Sequence, residues 1–186
     1  SSACSTRLTT GGIPNRHDEV QNRSWTAGPG CQRLGGMGKY DGKNVVITGG
    51  SSGLGLATAQ LLTDEGARVM ITGRTPETLQ AASRQLGDTA ITVRSDTSSL
   101  DDIDALADRV KAEFATVDAL FVNAGIGSYD PFETVTEQTY DEVFAINTKG
   151  PYFTVQKLTP LLAEGSGVVL TTSIANVLAY DAVSVY

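Results

Sequence analysis

Residues 44–55 read Asn-Val-Val-Ile-Thr-Gly-Gly-Ser-Ser-Gly-Leu-Gly, and this stretch decides the fold. The apolar run from Asn44 to Thr48 is typical of a strand buried on both faces of a parallel sheet. The glycines that follow permit a tight turn and let the backbone approach a pyrophosphate closely. An amphipathic helix begins directly afterwards, and the free N–H groups at its N-terminus favour an anion. The stretch therefore predicts a strand, a phosphate-binding turn and a helix.

The glycines of this turn have the spacing Gly-x-x-x-Gly-x-Gly, which differs from the Gly-x-Gly-x-x-Gly spacing of many dinucleotide-binding turns. We expect the cofactor to be held by Gly49, Ser51, Ser52, Gly53, Leu54 and Gly55. An ordinary glycine-rich connection is the alternative interpretation. The position of the turn, between a buried strand and an amphipathic helix, favours the phosphate site.

Short apolar runs alternate with helical segments along the rest of the chain. The predicted strands are Asn44–Thr48, Arg68–Thr72, Ala90–Val93, Ala119–Val122 and Val168–Thr172. The predicted helices are Leu54–Glu65, Pro76 to about Leu86, one that Ser99 opens, and a long one from Thr136 towards Leu162. Right-handed crossovers between such strands give a doubly wound sheet. We therefore predict the α/β class, a Rossmann-like doubly wound parallel sheet with helices on both faces and its last strands missing.

Two of these helices have a predicted apolar side and a predicted end signal. The apolar side of the first helix is Leu54, Ala57, Leu61 and Leu62. Gly66 suits the position just beyond the end of this helix. The apolar side of the third helix is Ile103, Leu106, Val110 and Phe114. Ser99 precedes Asp102 by three residues, which is the spacing of a capping box.

Gly73 and Arg74 follow the second strand, at the edge of the sheet where doubly wound folds bind ligands. A carboxylate is expected here when the 2′-hydroxyl of NAD is recognised, and the sequence has none. The planar guanidinium of Arg74 suits a 2′-phosphate instead. We therefore predict NADP in preference to NAD, with a solvated loop arginine as the alternative.

Further candidate residues follow the later strands. Asp96-Thr97 follows the third, and Asp96 is suited either to accept a hydrogen bond from an adenine amino group or to help cap the next helix. The small residues Asn123-Ala124-Gly125 follow the fourth and permit close approach of a ligand or of a neighbouring strand. Ser173 follows the fifth, and no His or Cys lies nearby, which excludes a Ser–His or Cys–His nucleophile in this part of the chain.

From about residue 39 to the end, these residues resemble the short-chain dehydrogenase/reductase family. Thr48–Gly55 resembles the cofactor motif of that family, and Asp96 resembles its adenine-binding aspartate. Asn123-Ala124-Gly125 resembles its signature after the fourth strand. The resemblance implies binding of NAD(P) and transfer of a hydride between the nicotinamide and a carbonyl or alcohol carbon.

The resemblance also implies three catalytic residues. Tyr186 and Ser173 have the spacing of the family's Ser–Tyr pair, and Asn147 resembles its active-site asparagine. Tyr186 would exchange a proton with the reacting oxygen, while Ser173 would orient that oxygen. Asn147 would help to hold a proton-relay water.

One residue of the family pattern lies beyond the sequence. The family has a lysine four residues after the tyrosine, at what would be position 190, and its charge lowers the tyrosine pKa from about 10. Lys149 is not that lysine. We therefore expect these 186 residues to be an incomplete reductase with little activity by itself. A non-catalytic nucleotide-binding fragment or sensor is the alternative.

Residues 1–36 differ from the α/β pattern that follows Met37, the first methionine. They show no sustained hydrophobic period, and we interpret them as a disordered leader or as upstream translated sequence before a domain at 37–186. A targeting peptide and a functional N-terminal module are the alternatives. Cys4, Cys31 and His17 are too scattered for a metal site, so we expect free thiols and no metal.

The composition limits the possible partners. A net charge of −7 argues against nucleic acid and anionic membrane surfaces, because phosphate contacts need clustered Lys and Arg. No run of about 18 apolar residues that would cross a membrane is present, and no secretory signal is recognisable. We expect a cytoplasmic protein with a small carbonyl or alcohol substrate, and the family resemblance implies a homo-oligomer.

Overall fold

The computed structural model describes residues 38–178 and 181–186, so the interpretation of residues 1–36 lies outside the described residues. The strands are Asn44–Thr48 (β1), Arg68–Gly73 (β2), Ala90–Arg94 (β3), Val117–Val122 (β4) and Leu162–Leu170 (β5). The α-helices are Gly53–Asp64 (α1), Pro76–Leu86 (α2), Leu100–Glu113 (α3), Glu137–Phe144 (α4) and Gly150–Leu158 (α5). A π-helical turn, Ala145–Lys149, joins α4 to α5. Single 3₁₀ turns lie at Phe132–Thr134, Thr159–Leu161 and Ile174–Asn176.

The five strands form one sheet in the order β3-β2-β1-β4-β5, and every neighbouring pair is parallel. The first strand, β1, is the central strand of this sheet. β2 and β3 extend the sheet on one side of β1, and β4 and β5 extend it on the other side. The strand order reverses between β1 and β4, which opens a crevice at their carboxyl ends. The predicted doubly wound parallel sheet is confirmed.

The two faces of the sheet bury separate apolar cores. Successive side chains of a strand point to opposite faces, so a strand that is apolar at every position serves both cores. On one face, Val45, Ile47, Val69 and Ile71 pack with Ala59 of α1 and with Leu79, Ala82 and Leu86 of α2. On the other face, Val46, Met70, Leu120 and Val122 pack with Leu106 and Val110 of α3, with Phe114 and with Leu158 of α5. The apolar side predicted for the third helix is therefore confirmed.

The apolar side predicted for the first helix is wrong at Leu54, Ala57 and Leu61, and of the four predicted residues Leu62 packs against the core. Leu54 and Leu61 are 71% and 68% exposed, whereas the buried residues of α1 are Gly55 and Ala59. A helix that begins directly at the tight turn lies close to the strands, and small residues permit that approach. The end signal is confirmed, since Gly66 follows the last turn of the helix with a φ of 93°.

The fifth strand and the helix before it differ from the prediction. The helix ends at Leu158, and β5 begins at Leu162, six residues before the predicted start. The segment from Ala163 to Gly167 is short of apolar side chains, so its extended conformation had no periodic signal. In the described part of the chain β5 is an edge strand, and its residues Val168–Leu170 are exposed rather than buried on both faces.

Within residues 38–178 and 181–186, no helix is long and apolar enough to cross a membrane. The same residues contain no group of three or more His, Cys, Asp or Glu side chains that could hold a metal ion.

Candidate active site

The glycine-rich turn closes tightly against the end of β4. Gly49 has a φ of 64°, and a Cβ placed on it would lie only 2.9 Å from the Cα of Ala124. A Cβ on Gly55 would overlap the carbonyl oxygen of Gly49 and would lie 2.8 Å from the side-chain nitrogen of Asn123. Glycine is therefore required at both positions. At Gly49 both the backbone conformation and the close contact require it, and at Gly55 the close contact alone does. The first turn of α1 can approach the strand ends this closely because neither residue has a side chain.

Thr48 and Asn123 connect the turn to the ends of β4 and β5. The Thr48 hydroxyl oxygen accepts hydrogen bonds from the backbone N–H groups of Asn123, at 3.0 Å, and Ala124, at 3.1 Å. The Asn123 amide donates to the carbonyl oxygens of Thr48 and Gly49, both at 3.3 Å. Its oxygen accepts from the hydroxyl of Thr171 at 3.1 Å. The Asn123 side chain thus positions three strand ends, a role that sequence reasoning missed.

A cavity of about 440 Å³ lies beside the turn, at the carboxyl ends of β1 to β4. It is lined by every predicted cofactor residue except one, namely Gly49, Ser51, Ser52, Gly53, Leu54, Arg74, Asp96, Thr97, Asn123, Ala124 and Gly125. The exception is Gly55, which is buried behind the turn and acts through packing. Lining residues that sequence reasoning missed are Thr72, Gly73, Thr75, Thr78, Ser95, Ile126 and Ile146. The missed residues flank the predicted ones, and only the folded sheet edge identifies them.

Asp96 is held in the wall of this cavity by the residues after it. One carboxylate oxygen accepts from the backbone N–H of Ser98 at 2.9 Å and from its hydroxyl at 2.7 Å. Partial burial acts to raise the pKa of Asp96, but the Ser98 hydrogen bonds and the charges of Arg74 and Arg94 outweigh it and hold the pKa below its usual range. The hydrogen bonds of Asp96 to Ser98 therefore lie within the loop before α3. The helix is capped by Ser99, as predicted, and the Ser99 hydroxyl oxygen accepts from the Asp102 N–H at 3.2 Å.

Asn147 lies in the π-helical turn between α4 and α5 rather than in the continuous helix that the sequence predicted. Its side-chain oxygen accepts from the backbone N–H of Ile126 at 2.9 Å, and its nitrogen donates to the Ile126 carbonyl oxygen at 2.8 Å. This paired contact fixes the loop after β4 against the helix. Single π-helical turns inside α-helices occur frequently at functional sites.

A second cavity, of about 320 Å³, brings together Asn147, Ser173 and Tyr186. It shares the segment Asn123–Gly125 with the first cavity, so the two spaces are neighbours. The Ser173 hydroxyl oxygen accepts from the backbone N–H of Ala175 at 3.1 Å. The three residues of the predicted catalytic group, far apart in sequence, therefore face one space beside the candidate cofactor cavity.

A third cavity, of about 430 Å³, is also lined by Ser173 and Tyr186. Its other lining residues are Tyr129, Ile174, Ala175, Asp181 and Val183. Asp130 and Val183 form an isolated parallel bridge, which joins the loop after β4 to the segment that carries Tyr186. Sequence reasoning missed Tyr129, because nothing in a single loop sequence indicates which cavity a side chain lines.

The family model described as short chain dehydrogenase matches residues 43–186. Oxidoreductase asL5 of Sarocladium schorii is 39% identical over 150 residues, which are 80% of this chain and 60% of that protein. Cis-2,3-dihydrobiphenyl-2,3-diol dehydrogenase of Paraburkholderia xenovorans is 37% identical over 139 residues, which are 72% of this chain and 50% of that protein. The chain therefore spans 50% to 60% of the length of these relatives.

The solved structures agree with the sequence comparison. The crystal structure of levodione reductase superposes with a TM-score of 0.74 and 33% sequence identity, over 80% of this chain and 60% of that chain. The family match begins one residue before β1 and includes the glycine-rich turn and all three residues of the second cavity. The chain therefore belongs to the short-chain dehydrogenases, a family of oxidoreductases.

Proposed function

We propose that this protein is an NADP-preferring oxidoreductase that transfers a hydride between the nicotinamide and the carbon of a carbonyl or hydroxyl group. The observation on which the proposal depends is that two cavities are neighbours. The cavity beside the glycine-rich turn shares Asn123–Gly125 with the cavity that contains Asn147, Ser173 and Tyr186. A dinucleotide with its pyrophosphate at the turn can extend past this shared segment towards Tyr186.

The end of β2 supports a preference for NADP. A carboxylate that recognises a ribose 2′-hydroxyl is expected here, and the chain has Gly73. A side chain at this position would be crowded, because a Cβ on Gly73 would lie 2.7 Å from the Ser51 hydroxyl oxygen. Arg74 is exposed at the cavity wall, where its guanidinium is suited to bind a 2′-phosphate.

In the proposed reaction a bound NADP(H) would supply or accept the hydride, and this chain's residues position the substrate and exchange the proton. The Tyr186 hydroxyl donates a proton to the carbonyl oxygen in reduction and accepts it in oxidation. The Ser173 hydroxyl binds the same oxygen and orients it. Asn147, whose amide is held by the Ile126 backbone, positions the water that resupplies the proton. A small carbonyl or alcohol substrate would enter through the third cavity, past Tyr129.

The direct test is transfer of deuterium from NADPH deuterated at nicotinamide C4 to a panel of ketones and aldehydes. The protein is used at stoichiometric concentration, so that even slow turnover labels the product. We expect deuterium at the carbinol carbon, and we expect Tyr186→Phe to lower the rate by about 10²- to 10⁴-fold through loss of the proton donor.

Tyr152→Phe is the matched control, because Tyr152 is 64% exposed and lines none of the three cavities. This variant should keep the wild-type rate. An unchanged rate in Tyr186→Phe would contradict the proposed proton donor. Binding of NADPH without deuterium in any product would instead favour a non-catalytic nucleotide-binding protein.

A further inference from the structure

Arg94 is the last residue of β3, and its Cα is the register partner of Gly73 at the end of β2. Its side chain is exposed. Neighbouring parallel strands lie about 4.8 Å apart, so Arg94 is close to the cavity that Gly73 and Arg74 line. Sequence reasoning did not select Arg94, although it directly follows the predicted strand Ala90–Val93.

The register also fixes the face of the sheet from which Arg94 projects. Val69 and Ile71 of β2 face the core formed with α1 and α2, and Gly73 has the same orientation because side chains alternate along a strand. Its partner Arg94 therefore projects from this face as well. A Cβ on Gly73 would meet the hydroxyl of Ser51, so this face looks towards the glycine-rich turn at this point. Gly73 itself contributes no side chain there, and the side chains nearest to its Cβ position are those of Ser51 and Leu79.

Arg74 and Arg94 give the region at the carboxyl ends of β2 and β3 an excess of positive charge. Arg74 and Arg94 both act on the carboxyl group of Asp96 and help to lower its pKa. Among the described residues, neither arginine forms an ion pair within 4.0 Å. One oxygen of Asp96 is already engaged by Ser98. Two guanidinium groups and one carboxylate leave one net positive charge, which favours the binding of a phosphate.

We propose that Arg94 is a second binding residue for the 2′-phosphate of NADP(H), opposite Arg74. This role rests on the proposed function, because it needs the adenosine half of the cofactor to lie at the end of β2. The loop residue Arg74 contacts the phosphate from one side, and Arg94 contacts it from β3. The cofactor preference then depends on the register between β2 and β3 as well as on the loop.

The test compares two small probes that differ only in the 2′-phosphate, adenosine 2′,5′-bisphosphate and adenosine 5′-monophosphate. Their Kd values are measured calorimetrically for the wild type, Arg94→Ala, Arg94→Lys and the control Arg84→Ala. Arg84 is exposed on α2 and lines none of the cavities described above. We expect Arg94→Ala to raise the Kd of the bisphosphate about five- to tenfold and that of the monophosphate less than about twofold.

Arg94→Lys, which keeps the charge, should recover part of the lost affinity, and Arg84→Ala should change neither Kd. An unchanged Kd of the bisphosphate in Arg94→Ala overturns the role of Arg94 and leaves the proposed function standing. An equal loss for both probes also overturns it, because Arg94 would then act on the adenosine or on the fold. A wild type that binds the bisphosphate no better than the monophosphate overturns the NADP preference and the role of Arg94 together.

Discussion

The glycines of the turn are required for different physical reasons, although the residue type is the same at each position. Gly53 has a φ of 53° and open space around it, so it serves the conformation of the chain. Gly55 has an ordinary conformation but lies directly against the Gly49 carbonyl, so it serves the contact between helix and turn. The sequence motif predicts the positions of the glycines. The structure shows whether each position requires glycine for its backbone conformation or for a close contact.

Gly55→Ala tests the contact directly. The added methyl group would overlap the Gly49 backbone, which must shift, and we expect loss of binding for NADPH and NADH alike. Gly87→Ala is the control, because Gly87 has a φ of 77° at the end of α2 with nothing near its Cβ position. This variant should lower the free energy of unfolding by about 1–3 kcal/mol through strain alone, because a φ of 77° with a ψ of −168° suits glycine only, and it should leave nucleotide binding intact. Retention of both nucleotides by Gly55→Ala in fluorescence titrations would contradict this account.

At the residue scale, the residues that line the cavity beside the glycine-rich turn were predictable, and the hydrogen bonds that hold this cavity together were not. Parallel strands end at one edge of the sheet, so the residues after them had to converge. Asn123 was predicted as part of the cleft, yet its side chain bonds to Thr48, Gly49 and Thr171. Those partners lie at the ends of two other strands, β1 and β5, and nothing in the sequence alone indicates which of them an amide will reach.

At the scale of the elements, the π-helical turn at Ala145–Lys149 determines where the side chain of Asn147, the predicted active-site asparagine, lies. The apolar period on either side predicted one long helix. The buried positions nevertheless stay three or four residues apart across the π turn, so it escapes a search for periodicity; they are Val143, Ile146, Gly150, Thr154 and Leu158. The extended start of β5 was missed for a related reason, because its polar and glycine residues form no alternating pattern.

Asn147→Ala tests whether the π turn and the loop after β4 hold each other. The change removes two hydrogen bonds to the Ile126 backbone, and we expect the free energy of unfolding to fall by about 1–3 kcal/mol. Amide exchange at Ile126 should become faster. The exposed neighbour in Thr148→Ala is the control and should change neither quantity. Unaltered protection of the Ile126 amide in Asn147→Ala would show that the loop is held by other contacts.

At the scale of the whole molecule, side-chain hydrogen bonds connect neighbouring strands of the sheet at both ends of the strands. At the carboxyl ends of the strands, the network around Asn123 joins β1, β4 and the residue after β5. At the opposite ends, Asp118 of β4 accepts from the Lys43 ammonium at 2.7 Å and from the Asn44 N–H at 2.9 Å. The doubly wound parallel sheet was predicted from the alternation of elements, but these cross-strand bonds depend on a register that the sequence does not reveal.

Acid should therefore weaken the fold through Asp96 and Asp118. Burial acts to raise the pKa of Asp118, but the bonds from Lys43 and Asn44 outweigh it, and the pKa of both carboxyls lies below the usual value. A carboxyl with a lowered folded-state pKa stabilises the fold above the unfolded pKa of about 3.9 and loses that contribution as the pH falls through its folded-state pKa. Urea unfolding should show falling stability below about pH 4.

Asp118→Asn should be less stable than the wild type at pH 7 and should lose less stability on acidification. Asp88→Asn is the control, since Asp88 is exposed in the loop before β3. An equal loss of stability with acid in the wild type and in Asp118→Asn would contradict this assignment.

The central claim is that the cavity beside the turn binds NADP(H) in preference to NAD(H), and titration with NADPH and NADH tests it most directly. We predict that the wild type binds NADPH at least about tenfold more tightly than NADH. Arg74→Ala should raise the Kd of NADPH about tenfold or more and that of NADH less than about twofold, while Arg84→Ala changes neither. Equal losses for both nucleotides in Arg74→Ala, or no binding of either by the wild type, would contradict the account.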